Sequence, residues 1–155
     1  MMDALIFKIE DELYAIDIND LDEILMMVSI QKISSLPYFL SGIFNLRGEL
    51  IPVMDLRPKL GHNSEYLTNY PIDTRIIIVT ITDKKIGIIV QGLKEIKKVT
   101  QEKSKPNVVN ETSLPPYLNG MALYEDNKTV QIIHIKKILN EDELSMIETE
   151  TSKRK

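Results

Sequence analysis

Residues 40–56 read LSGIFNLRGELIPVMDL. Two apolar runs, GIFNL (42–46) and ELIPVMDL (49–56), flank the pair Arg47-Gly48. Strand-like runs joined by two residues, one of them glycine, specify a β-hairpin. Pro52 has no N–H for a ladder hydrogen bond, so its strand lies at a sheet edge or beside a bulge. Arg47 stands alone at the tip of a segment that otherwise reads as core. It is either a solvated turn residue or a hook for another molecule.

The same texture extends in both directions. ALIFKI (4–9), ELYAIDI (12–18), MVSIQKI (27–33), RIIIVTI (75–81), KIGIIVQ (85–91), KEIKKV (94–99), GMALYE (120–125) and TVQIIHI (129–135) all read as short strands. Helical signals are short. Asn19-Asp20 can cap a turn running to Leu25, which puts Ile18, Leu21, Ile24 and Leu25 on one face. A terminal helix is expected from Asn140 to about Thr149, with Leu144 and Ile147 on one side. The segments 61–73 and 101–113 are polar loops.

The two halves resemble each other. At an offset of 72, residues 5–24 align without gaps on 77–96, with identities such as Ile6/Ile78, Asp11/Asp83, Ile16/Ile88 and Glu23/Glu95. At an offset of 78, LPYFLSG (36–42) matches LPPYLNG (114–120). Insertions that change the offset fall in a loop and a hairpin tip, where they are tolerated. Each repeat holds about five short strands, enough for one small antiparallel barrel, so the expected class is all-β with two packed barrels. The expected boundaries are about 1–66 and 67–140, with 141–155 as a C-terminal helix and basic tail. An exchange of terminal strands between the halves stays open.

Composition narrows the function. The 155 residues are 43% apolar and 27% charged, with net charge −4, which is not the basic footprint of a nucleic-acid binder. There is no cysteine, which removes disulfides, zinc thiolates and cysteine nucleophiles. The N-terminal MMDALIFKIEDEL lacks a signal-peptide pattern, and no window is long and apolar enough to span a bilayer. A cytoplasmic location without membrane insertion is expected. No nucleophile elbow, P-loop or metal-binding spacing occurs, so no enzyme and no cofactor are expected. His62 lies in a polar loop, and His134 occupies the position of Asp55 in the other repeat, which points to exposure. Asp17 and Asp55 have no partner acid nearby in sequence.

Two features remain for binding. Residues 24–28, Ile-Leu-Met-Met-Val, form an apolar run beside acidic neighbours, and methionine-rich exposed surface suits adaptable protein contacts. The tip matching Arg47 in the second repeat is Glu125-Asp126-Asn127, so the duplicated barrel does not require the arginine.

YFLSGIFNLRGELIPVMDLRPKLG, with LYAIDINDLDEIL upstream and KIGIIVQGLKEI and LPPYLNGMALYEDNKTVQIIHIKKIL downstream, resembles the CheW-type chemotaxis coupling domains over about residues 4–140. The resemblance implies two SH3-like five-stranded barrels and a non-catalytic adaptor. Such an adaptor joins the histidine kinase CheA, through its regulatory domain, to the cytoplasmic hairpin tip of chemoreceptors in arrays. The resemblance also implies roles for residues. Leu5, Ile18, Leu21, Glu23 and Ile24 would meet the receptor, and Arg47 and Gly42 would couple to a partner. Many members carry Arg-Gly where this chain has Leu25-Met26, a polar site exchanged for apolar surface. The alternatives are an adaptor of a related CheA-like pathway, as in twitching or gliding motility, and a ligand-binding β-barrel.

Overall fold

The computed structural model describes residues 2–32, 36–62, 70, 72–102, 115–125 and 128–152. In chain order the elements are β1 (Met2–Ile9), β2 (Glu12–Asp17), a 3-10 turn (Ile18–Asp20), β3 (Glu23–Met26), β4 (Leu40–Leu46) and β5 (Glu49–Asp55). Then follow β6 (Arg75–Ile81), β7 (Lys84–Val90), β8 (Leu93–Glu102), β9 (Leu118–Tyr124), β10 (Lys128–Ile133), a second 3-10 turn (Ile135–Lys137) and α1 (Glu141–Ser152). The all-β class expected from the strand pattern holds. Most of the expected loops at 61–73 and 101–113, the tip residues Asp126-Asn127 and the basic tail 153–155 lie outside the described residues.

The chain divides into two compact units. The first comprises residues up to Asp20 and Gly92–Ile138; the second comprises Leu21–Gln91 and the residues from Leu139 onward. These units cut across a repeat boundary near residue 66. The β1-β2 hairpin of the first repeat joins β8, β9 and β10 of the second, while β6-β7 joins β3, β4 and β5. The repeats carry the same strand pattern, so each hairpin fits the edges offered by the other repeat.

The first unit is a closed barrel in the order β1-β2-β10-β9-β8. Its interior holds Ala4, Ile6, Ala15, Val99, Ala122, Tyr124, Val130 and Ile132. Three alanines among the inward positions suit the narrow lumen of a five-stranded barrel. Closure runs through Thr100↔Leu123, Gln101↔Ala122 and Glu102↔Met121 between β8 and β9.

The second unit is a five-stranded sheet in the order β3-β6-β7-β5-β4. Phe44, Ile51, Val53, Ile76, Ile78 and Ile89 form its core, with Leu25, Met27 and Ile30 packed against them. Each fully buried isoleucine contributes about 1.5–3 kcal/mol relative to exposure. Gly87 fits because a Cβ there would come within 3.1 Å of Ile76 Cγ2 and 3.3 Å of Val53 Cγ2. Pro52 lies just before β5 begins to pair with β7 at Val53, and a bulge in β4 between Leu40 and Gly42 sits opposite.

Two local expectations are corrected. The turn capped by Asn19-Asp20 stops at Asp20, and Glu23–Met26 form a strand. Pairing with β6, from Glu23↔Ile78 to Met26↔Arg75, overrides the weak helical signal. Ile24 and Leu25 therefore point to opposite faces of a strand instead of sharing a helical face. Nor do residues 27–32 form a regular strand; a single bridge, Gln31↔Ile43, links them to β4, with N–H···O distances of 2.9 and 3.0 Å.

α1 begins where its sequence says it should. Asn140 Oδ1 accepts the Glu143 N–H at 2.8 Å, and Glu143 Oε1 accepts the Asn140 N–H at 3.0 Å. This reciprocal cap satisfies two otherwise unpaired helix donors. The other carboxylate oxygen of Glu143 pairs with Lys59, and both side chains are buried. Ile147 is buried on the same helix, while Leu144 is half-buried.

Candidate functional site

The β4-β5 hairpin turns on Arg47 and Gly48, with φ of 50° and 88°. Two consecutive positive φ values define the tight turn that matches strand twist and favours Asn-Gly. Asn45 Oδ1 accepts the Gly48 N–H at 2.8 Å and fixes the tip from within. Arginine holds a left-handed position that asparagine or glycine fills with less strain. Its side chain has another engagement. One terminal guanidinium nitrogen donates to both carboxylate oxygens of Glu23, at 2.8 and 2.7 Å. The Arg47 side chain is 64% exposed and that of Glu23 35%. A pair this wet contributes roughly 0–1 kcal/mol to folding.

Glu23 is placed by the entry to β3. The Asp22 N–H donates to the Ile78 carbonyl at 2.8 Å, and the Thr80 hydroxyl donates to Asp22 Oδ2 at 2.6 Å. From there the side chains alternate. Leu25 and Met27 pack on the core, whereas Ile24, Met26 and Val28 are 38%, 72% and 40% exposed. Glu23, paired with Arg47, thus stands at the head of the segment that carries an apolar row in the second unit.

The other expected contact residues fall elsewhere. Leu21, in the second unit, and Ile18, on the 3-10 turn of the first, are half-buried. Leu5 is 1% exposed, a core residue of β1 that presents no side chain to a partner. Gly42 is buried, and its place has a structural cause: a Cβ there would lie 2.4 Å from both the Gln31 carbonyl oxygen and Ile30 Cγ2. Only glycine lets the bridging segment approach β4 so closely.

No residue spacing announced the Glu23–Arg47 contact, because 24 positions separate the partners. The apolar run over 24–28 beside acidic neighbours was the available signal for the exposed row. Asp55, which had no visible partner in sequence, lies beside Arg57; Arg57 Nε donates to both of its carboxylate oxygens at 3.0 Å. His62 and His134 are half-buried, not exposed, with their backbone N–H groups donating to Arg57 and Tyr117 carbonyls at 2.9 Å. Among the described residues no cluster of three or more His, Asp or Glu could hold a metal ion, and no helix is long and apolar enough to cross a membrane.

A family model for the CheW-like domain matches residues 3–143. The chemotaxis protein CheW of Klebsiella aerogenes is 28% identical over 145 residues, covering 93% of this chain and 85% of the relative. That of Treponema pallidum is 29% identical over 150 residues, covering 91% and 84%. The crystal structure of the scaffolding protein TtCheW from Thermoanaerobacter tengcongensis superposes with a TM-score of 0.73 at 34% identity, covering 90% of this chain and 89% of that one.

Proposed function

The chain belongs to the CheW-like domain family, a scaffold family of chemotaxis, and on that premise we propose that it couples a CheA-type histidine kinase to chemoreceptors in the cytoplasm. The receptor's cytoplasmic hairpin tip is taken at the Glu23–Arg47 end of the second unit, against Leu21 and Ile24. Ile18 is a further receptor contact expected from the family pattern, and Leu5 supports its strand from the core. The kinase's regulatory domain binds another barrel face, and the protein works at receptor arrays.

One observation carries this reading. Glu23 and Arg47, far apart in sequence, meet in a two-oxygen hydrogen bond on the surface, beside exposed apolar side chains. The pair contributes little to folding at that exposure, yet it holds two opposite charges in fixed places. Charge-assisted hydrogen bonds of this kind orient a partner, while adjacent apolar contacts supply affinity. Gly42 acts indirectly, by letting the segment after β3 cross to β4. Binding demands no bond making or breaking, and the family's scaffold character fits an adaptor that acts by holding others in place.

The test is reconstitution. Purified protein is mixed with the kinase and with a receptor cytoplasmic fragment, separately and together, and complexes are sedimented. Co-sedimentation with both, and a kinase rate that depends on the receptor only when the protein is present, is the expected result. Failure to sediment with either would falsify the adaptor reading.

A further inference from the structure

We propose that one end of the second unit's core holds an internal water molecule, bound between the Thr74 hydroxyl and the side-chain amide of Gln91. It is an interior site, and it stands whether or not the adaptor reading holds.

The strand register brings these groups together. β5 and β7 run parallel, with Asp55 beside Ile89, and β6 runs antiparallel to β7, with Arg75 opposite Val90. One position further in that register sets Thr74 opposite Gln91. Side chains two apart on a strand share a face. Asp55 therefore continues the inward row of Ile51 and Val53, Thr74 that of Ile78 and Ile76, and Gln91 that of Ile89. Three inward rows that are apolar through the core end in polar residues at the same end. Tyr70 packs on that core, and its hydroxyl pKa is raised first by burial and next by the Asp55 charge, as in a layer shielded from bulk water.

Asp55 is already engaged. Its carboxylate oxygens accept the Arg57 backbone N–H at 2.9 Å, Arg57 Nε at 3.0 Å and a terminal Arg57 nitrogen. Thr74 and Gln91 are not. Thr74 is 0% exposed, and among the described residues neither its Oγ1 nor the buried Gln91 Nε2 has a hydrogen-bond partner, the other included. A buried hydroxyl or amide left unpaired costs the free energy of its lost hydration, so such groups are almost always satisfied. Directly opposite side chains have Cβ atoms roughly 4.5–5.5 Å apart, within the reach of one bridging molecule. Water fits the chemistry. It accepts from the amide N–H, and it either donates to or accepts from the hydroxyl. Were the amide turned over, its oxygen would take a water proton just as well. A metal cation would face an N–H donor. The lack of exposed surface at Thr74 leaves no opening for a larger ligand.

The test is a high-resolution crystal structure of the full chain, with paired urea melts of Thr74→Val, Gln91→Leu and the double variant. The expected density is one peak within roughly 2.7–3.2 Å of both Thr74 Oγ1 and the Gln91 amide. Thr74→Val keeps the side-chain shape and should lower the urea midpoint, as should Gln91→Leu. The double variant should lose less than the sum of the two, since both single changes give up the same water. Thr74→Ser, which keeps the hydroxyl, should keep the peak. Absence of the peak, with a Thr74→Val midpoint at or above wild type, would show the two groups to be unpaired and overturns the site. A direct hydrogen bond from Gln91 to Thr74 in that density overturns it too. A peak accompanied by additive losses would make the water incidental to the two groups and counts equally against the proposal.

Discussion

The two units are built from matching strands but close differently. In the first, the ten-residue β8 reaches β9 and completes the barrel with a three-residue ladder. In the second, the corresponding β3 has four residues, and among the described residues after it the Gln31 bridge alone reaches β4. The matched glycines show the same divergence. Gly120 is needed for its φ of 121°, whereas Gly42 is needed because the Gln31 carbonyl would collide with any Cβ. Full closure uses up strand edges and outward positions in regular pairing. A seam held by one bridge leaves a short strand whose outward side chains are free to serve a partner. Glu23, which pairs with Arg47 of the β4-β5 hairpin tip, and most of the apolar row lie on the seam strand β3 of the second unit. That unit also gains α1, a support the first lacks.

The comparison can be broken most sharply at that support. Glu143→Ala removes one half of the reciprocal cap and the carboxylate that pairs with the buried Lys59 side chain. Loss of one partner of a buried pair costs about 3–5 kcal/mol. Urea denaturation should show this as a lower midpoint, and a variant that melts like wild type would mean α1 is not anchored by the pair. Gly42→Ala comes next. Its methyl group enters space held by Gln31 and Ile30, and forced overpacking costs about 1–3 kcal/mol. Amide exchange should locate the damage at Gln31 and Ile43. Uniform loss of protection across both units would contradict a local seam.

The smallest effect belongs to the first unit. Asp20, in the 3-10 turn, has its carboxyl raised above 3.8, chiefly by burial and then by Asp17, against the opposing pull of Lys136 and His134. A folded-state value above the unfolded one gives stability that is present below the ordinary carboxylate range and lost as pH rises through the raised value. Asp20→Asn removes that loss. It should be slightly more stable than wild type at neutral pH, with the advantage vanishing in acid below 3.8. The opposite pH trend in paired urea melts would show that Asp20 is stabilised as an anion.

Much of this was legible from residues. The strands announced themselves because alternating or β-branched runs leave few other ways to bury apolar groups. The hairpin tip at Arg47-Gly48 was read from its short break between two apolar runs, and both residues have positive φ. Capping residues placed the start of α1. β3 was missed because Asn19 and Asp20 favour a local turn, while the strand owes its existence to pairing with the sequence-distant β6. Leu5 was misjudged for a related reason. Ala4, Leu5, Ile6 and Phe7 are all buried, so both faces of β1 are covered and alternation carries no information there. The hydrogen bonds from Arg47 to Glu23 depend on where two separate elements end, which no periodicity encodes.

The central claim is that this pair serves partners and not the fold. The direct measurement is Arg47→Asn, which suits the turn but cannot reach Glu23 as a cation. Its melt should match wild type within about 0.5 kcal/mol. Receptor-fragment or kinase binding, measured by calorimetry, should weaken by about tenfold or more, as expected for losing charge-assisted bonds of about 1.5–3 kcal/mol. A marked drop in melting temperature with binding unchanged would contradict the account and make Arg47 a structural residue.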